Sequence, residues 1–108
     1  MQANTTEWSD TEQLVAKEAF EKAYALETSA LLDEVRRQSS SISAIDDLWN
    51  LHDFLSARRH ELDGKYDFNY PMLLITFAGL IKDGWLQFDD LTSLSKDKLA
   101  KISALTRL

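Results

Sequence analysis

Within the stretch Asp46–Asp67, DDLWNLHDFLSARRHELDGKYD, fall two histidines, two adjacent arginines, a tryptophan and several carboxylates. Groups of these types can do acid–base catalysis or bind a metal, so spacing has to decide between those chemistries. His52 beside Asp53 has the composition of an acid–base pair, but neighbours on a helix point about 100° apart. His52 and His60 would stand about 12 Å apart along a helix axis, too far to chelate one ion. His60-Glu61 lacks the second histidine of a metalloprotease helix. Asp46 and Asp47 read as first-turn carboxylates favoured by the helix dipole. Gly79 and Gly84 are isolated, so no glycine-rich phosphate loop is present. The absence of cysteine removes disulfides, thiolate nucleophiles and cysteine metal sites. No constellation for catalysis remains. The expectation is a protein that is not an enzyme and needs no cofactor or metal.

The element carrying these residues is a helix rich in strong helix formers, with Gly64 as a stop signal near its end. At about 100° per residue, Leu48, Leu51, Leu55 and Leu62 fall on one core-facing stripe. Trp49, Asp53, Ser56 and His60 fall on the far side, with His52 and Arg59 on the shoulder. A tryptophan opposite the core stripe is costly to leave in water, and Trp and Arg are enriched at interfaces. This helix therefore needs a second covering surface. The plainer readings are an exposed Arg59–Asp63 pair, a solvated Arg58–Arg59 face and a polar core-edge His52. Trp8, Tyr24 and Trp85 are expected in the core.

A chain of 108 residues makes one domain with a modest core, and 44% hydrophobic and 28% charged residues are ordinary for a globular protein. Three glycines and one proline leave little punctuation, which favours long helices and an all-α fold. No basic start followed by an apolar run suggests a signal peptide. The most apolar segment, 72–81, is about half what a bilayer requires. A soluble, cytoplasmic protein is expected. The net charge of −6 argues against binding phosphate backbones.

Along the chain, Ser9 and Glu12 have the spacing of a capping box, with Trp8 placed for a hydrophobic staple. From there to about Gln38 nothing interrupts a helix, and Ala16, Phe20, Ala23, Ala30, Leu31 and Val35 recur at helical spacing. Thirty residues span on the order of 45 Å, longer than a compact domain of this size is wide. Such a helix must pack on an equally long partner or on another subunit. Ser39, Ser40, Ser41 and Ser43 break the pattern, and Ser41 or Ser43 is expected to cap a second helix over about Ile42–Leu62. The two form a long antiparallel hairpin over 8–64. Its several apolar faces call for a homodimer, with Trp49, Leu48 and Ser56 at the subunit interface.

Residues 65–108 read as a small C-terminal helical head. Asn69 or Tyr70 caps a helix with Pro71 in its first turn. The run from Met72 to Ile81 is apolar nearly all round, as in a buried central helix. Gly84 ends it, Trp85, Leu86 and Phe88 make an apolar corner, and Asp89–Leu94 is expected to form one short helical turn. Ser95 caps a last helix with Leu99, Ile102 and Leu105 facing in and Lys96, Lys98 and Lys101 facing out.

The segments IDDLWNLHDFLSARRHELDGKYD, GLIKDGW and DKLAKISALTRL resemble the fluorescence recovery protein family of cyanobacteria, and the likeness extends from EWSDTE over nearly the whole chain. That resemblance implies an all-α dimer of long hairpins with a small head on each subunit. It also implies a non-enzymatic regulator of photoprotection, placed in the cytoplasm with peripheral association at the thylakoid. Members bind the active red form of the orange carotenoid protein through its C-terminal domain, speed its return to the orange form and help detach it from the phycobilisome. The positions matching the family's functional surface are Trp49, His52, Asp53 and Arg59, with Lys101 in the head. Ile75 stands where some relatives carry an aromatic, and Tyr70-Pro71 departs from a more usual polar residue and serine. A dimeric helical adaptor for an unrelated protein is the alternative. A nucleic-acid surface of Lys96, Lys98, Lys101 and Arg107 is weaker, because the hairpin is acidic.

Overall fold

The computed structural model describes residues 7–108, which form four α-helices, one 3₁₀ turn and no strand. In chain order they are α1 (Asp10–Ser39), α2 (Ile45–Lys65), α3 (Tyr70–Asp83), the 3₁₀ turn (Phe88–Leu91) and α4 (Lys96–Thr106). Its extents of 60 × 26 × 23 Å and radius of gyration of 17.2 Å contrast with about 13 Å for a compact domain of this length. The elongation comes from α1, whose 30 residues run without interruption.

α1 starts where its sequence predicts. The Ser9 hydroxyl accepts from the Glu12 amide and the Glu12 carboxylate accepts from the Ser9 amide, each at 3.1 Å. The expected staple is absent: the position that would meet Trp8 is Gln13, whose amide donates to the Trp8 carbonyl at 2.9 Å. The Trp8 ring instead lies 5.4 Å from that of Tyr70.

The turn into α2 corrects the expected cap. Neither Ser41 nor Ser43 caps the helix, which begins at Ile45 after Ala44. Closure runs the other way: Asp47 Oδ2 accepts from the backbone amides of Ser43 and Ala44 at 3.0 and 3.1 Å. A carboxylate can take several amides at once where a serine hydroxyl takes one, and the helix dipole favours it. Those amide bonds hold the Asp47 carboxyl below its ordinary range. α2 then runs through Gly64 to Lys65, beyond the expected Leu62.

α2 returns along α1, so that Lys65 and Tyr66 reach Glu27. The segment that follows is extended. Alternation puts Tyr66, Phe68 and Tyr70 on one side of it, and their rings pack edge to face on Phe20 and on one another at 5.0–5.4 Å. This ladder continues to Tyr24 at one end and Trp8 at the other. Each such pair adds about 0.5–1.5 kcal/mol beyond the area it buries.

The main core joins Ala16, Ala19 and Ala23 of α1 to Leu73, Phe77, Leu80, Leu86, Leu91 and Ile102. Small residues on α1 let the 3₁₀ turn approach closely. Ala30, expected on the same stripe, is exposed, because the head ends before reaching it. α3 is not buried all round: Met72 and Ile75 are half exposed. Gly84 closes α3 at φ 88°, in the left-handed region that favours glycine, and the Trp85 amide donates back to the Leu80 carbonyl at 2.9 Å. Of the expected leucine stripe on α2, Leu51 and Leu62 are buried, whereas Leu48 and Leu55 are exposed at 43% and 37%. Tyr24 is also 48% exposed, contrary to its expected core position.

Candidate partner-binding surface

Two arginines adjacent in sequence have opposite surroundings. Arg58 points inward toward Glu27 and also meets Glu61, at 3.5 and 3.3 Å. Arg59, about 100° further round the helix, keeps 85% of its side chain exposed. Its one ion pair among the described residues is a 3.7 Å contact from Nε to Asp63, itself 74% exposed, which contributes little in water. Arg58 is packed against α1, whereas Arg59 stands in solvent.

Arg59 lies along a shallow groove on α2 with His52, Leu55, Ser56, His60 and Asp63. Ser56, which a helical projection places on the far side, lines this groove with Arg59. The projection also understates the reach of His52 and Asp53. Their side chains meet, Nδ1 to Oδ1, at 3.3 Å, although both remain largely exposed. Among the described residues no group of three His, Asp or Glu side chains is placed to hold a metal.

Trp49 is 55% exposed and Leu48 43%, and Ile45, one turn earlier, is 59% exposed. These three form an apolar strip on the half of α2 furthest from the head. Trp8 and Trp85, by contrast, pack against the core. Lys101 is exposed on α4, and among the described residues no hydrogen bond or ion pair links it to His52, Asp53 or Arg59. Ile75 is 52% exposed on α3.

Lys98 corrects the expected outward row of lysines. It is 3% exposed; its ammonium lies over the Trp8 ring and donates to Glu12 Oε1 at 3.2 Å and the Glu7 carbonyl at 2.6 Å. With Lys98 consumed, the basic set proposed for nucleic acid loses its central member.

A second polar centre ties α2 to α1 and α3. Glu27 is 2% exposed and accepts from Tyr66 Oη at 2.8 Å. Lys65 Nζ lies 2.8 Å from Glu27 and 3.1 Å from Asp83 on α3. Burial pushes the Tyr66 phenol up, and its bond to Glu27 pushes it further. Burial acts to lower the Lys65 ammonium, but its bonds to Glu27 and Asp83 outweigh this and raise it. The mixed-charge, aromatic-walled junction gives little sequence signal except the alternation of aromatics at 66, 68 and 70.

No helix among the described residues is long and apolar enough to cross a membrane. Residues 8–106 match the family model of the photoprotection regulator fluorescence recovery protein. The fluorescence recovery protein of Synechocystis sp. (strain PCC 6803) is 49% identical over 108 residues, covering 100% of this chain and 99% of that protein. The structure of the Fremyella diplosiphon fluorescence recovery protein superposes with a TM-score of 0.92 at 55% identity, covering 94% of this chain and 100% of that one. The Synechocystis structure gives a TM-score of 0.90 at 51% identity, covering 94% and 99%.

Proposed function

The chain belongs to the fluorescence recovery protein family of photoprotection regulators, and from that membership we propose that it binds the photoactivated orange carotenoid protein. In this reading it engages the C-terminal domain of the red form, speeds return to the orange form and detaches that protein from the phycobilisome, so that antenna fluorescence recovers. It acts in the cytoplasm, beside the thylakoid surface, as a dimer of hairpins with a head on each subunit. The apolar strip of Leu48 and Trp49 is covered by a second copy, with Ser56 at the margin.

The observation that carries this reading is the exposure of Arg59 and His52 along one groove, with Asp53 exposed beside His52, while neighbouring Arg58 is locked to Glu27. Exposed, oriented charges suit recognition of a protein surface. Lys101 supplies a further contact from the head. Reversion requires two carotenoid-binding domains to come back together, with no proton transfer by this chain. A scaffold that binds the transition arrangement more tightly than the separated one lowers the barrier, and weak affinity for the closed form releases it.

The test is the dark recovery of the orange carotenoid protein after blue light, followed by absorbance with and without this chain. Faster recovery at substoichiometric chain supports the reading. An unchanged rate rejects it and favours an adaptor for an unrelated protein.

A further inference from the structure

We propose that the cleft between α1 and the end of α2 is a receptor for an arginine side chain presented by another protein. The cleft has a volume of about 370 Å³ and is lined by Phe20, Glu21, Tyr24, Leu62, Asp63 and Tyr66. Tyr66 meets Phe20 at 5.4 Å and 80°, and Tyr24 at 5.1 Å and 81°. Phe20 and Tyr24 are one turn apart on α1, so the three rings form two walls meeting at a corner. Tyr24 remains 48% exposed although its neighbours are packed, which leaves one ring available to a visitor.

The charge of the site selects the visitor. Glu21 is exposed and has no ion pair among the described residues. Asp63 has only its 3.7 Å contact to Arg59, with both partners largely in water. Aromatic faces attract cations, and carboxylates beside them add a directional acceptor. A planar guanidinium lays a flat face on a ring and keeps its fork of donors for a carboxylate, whereas an ammonium is a point charge with no face to stack. Of the chain's own cations, Lys65 lies over the Tyr66 ring at 5.7 Å from its centroid, and among the described residues none pairs with Glu21. Arg58 is spent on Glu27 and Glu61, and Lys65 on Glu27 and Asp83.

Asp63 also lines the groove of Arg59 and His52, so a partner seated on that groove would reach the cleft without further movement. The cleft is nevertheless defined by its own residues, and its test does not depend on who the partner is. The probe is N-acetyl-arginine N-methylamide titrated into the isotopically labelled chain, with the citrulline and lysine counterparts as controls. Citrulline keeps the shape of arginine and lacks its charge. Saturating amide shifts are expected at Tyr24, Leu62 and Asp63 with the arginine probe, with affinity about tenfold above that of citrulline. The Glu21→Gln/Asp63→Asn chain changes only exposed side chains and should reduce arginine to the citrulline level. Tyr24→Leu should remove the preference for arginine over lysine. Equal responses to arginine, lysine and citrulline, or shifts confined to the His52–Arg59 groove, would overturn the proposal. So would cleft shifts on dilution without any probe, since a second copy would then be the occupant.

Discussion

The Glu12 carboxylate accepts a 2.8 Å hydrogen bond from the Ser95 amide, 83 positions away. Through its other oxygen it closes the capping box with Ser9, so one side chain caps the N-termini of α1 and α4 together. Two helix dipoles point their positive ends at it, and Lys98 lies against it at 3.2 Å. The start of the chain is thereby tied to the last helix, and the head closes around α1.

Acid should loosen this tie. Burial acts to raise the Glu12 carboxyl, but the Ser9 and Ser95 amides and Lys98 outweigh it and hold it below its ordinary range. A group lowered in the folded state contributes stability above its unfolded value, about 4.3, and loses it as pH falls through the folded one. Urea unfolding at fixed protein concentration should therefore show stability falling below about pH 4.5, with a gentler fall in Glu12→Gln. At neutral pH Glu12→Gln should cost about 3 kcal/mol, because Lys98 is left buried without its counter-charge. Lys98→Met should cost about 1 kcal/mol, since Glu12 keeps its two amides. A double variant no less stable than Glu12→Gln alone supports the pairing.

Glu27 makes the opposite prediction at alkaline pH. Lys65 and Tyr66 are both raised in the folded state, so their contribution is complete below about pH 10 and is lost as pH rises through their folded values. Alkaline unfolding of the chain should steepen above about pH 10, and Glu27→Gln should flatten that limb. At neutral pH Glu27→Gln should destabilise by about 2–4 kcal/mol and Tyr66→Phe by about 1 kcal/mol. Equal losses would mean that the carboxylate is not the hub.

How much of this was legible follows from the physics of each signal. Ser9 with Glu12, Asn69 with Pro71, and Gly84 act through local backbone chemistry, and each stands where the sequence places it. Lys98 was missed because a lysine is ordinarily outside, and its burial depends on Glu12, 86 positions away. Helical spacing places Leu48 and Leu55 in the core, yet both are exposed, because spacing identifies a face without saying how far a neighbour extends along it. Of the surface on α2, the exposure of Trp49 and Arg59 was legible from spacing. The separation of Arg58 from Arg59 required the position of Glu27. The cleft between Tyr24 and Tyr66 gives no local signal, because Tyr66 meets Phe20 and Tyr24 only once α2 has returned along α1.

Gly84→Ala isolates a backbone effect. A Cβ there meets nothing within 4 Å, so the cost is that of φ 88° alone. A loss of about 1 kcal/mol is expected, read as a fall in Tm of about 4–8 °C. A fall well beyond this would mean that α3 fails to close and that Trp85 and Leu86 leave the core.

Trp49→Glu tests self-association. Trp49 is exposed in the single chain, so the change should leave the helical circular dichroism intact. Placing a carboxylate in an apolar contact costs several kcal/mol unless it is paired. On the proposed dimer, light scattering should report dimers for the parent chain and monomers for the variant. An intact dimer would remove Trp49 from the interface.

Arg59→Leu separates recognition from folding. The side chain has only a solvent-exposed pair to lose, so unfolding free energy should change by less than about 0.5 kcal/mol. The dimer should persist, because the apolar strip of Leu48 and Trp49 is untouched. If Arg59 makes a charge-assisted contact with the carotenoid protein, its loss costs about 1.5–3 kcal/mol. Dark recovery at limiting chain should then slow by about tenfold or more. Arg58→Leu is the control: it should lower stability through Glu27, and the fraction that stays folded should still accelerate recovery. Recovery unchanged by Arg59→Leu would move the recognition site off this groove.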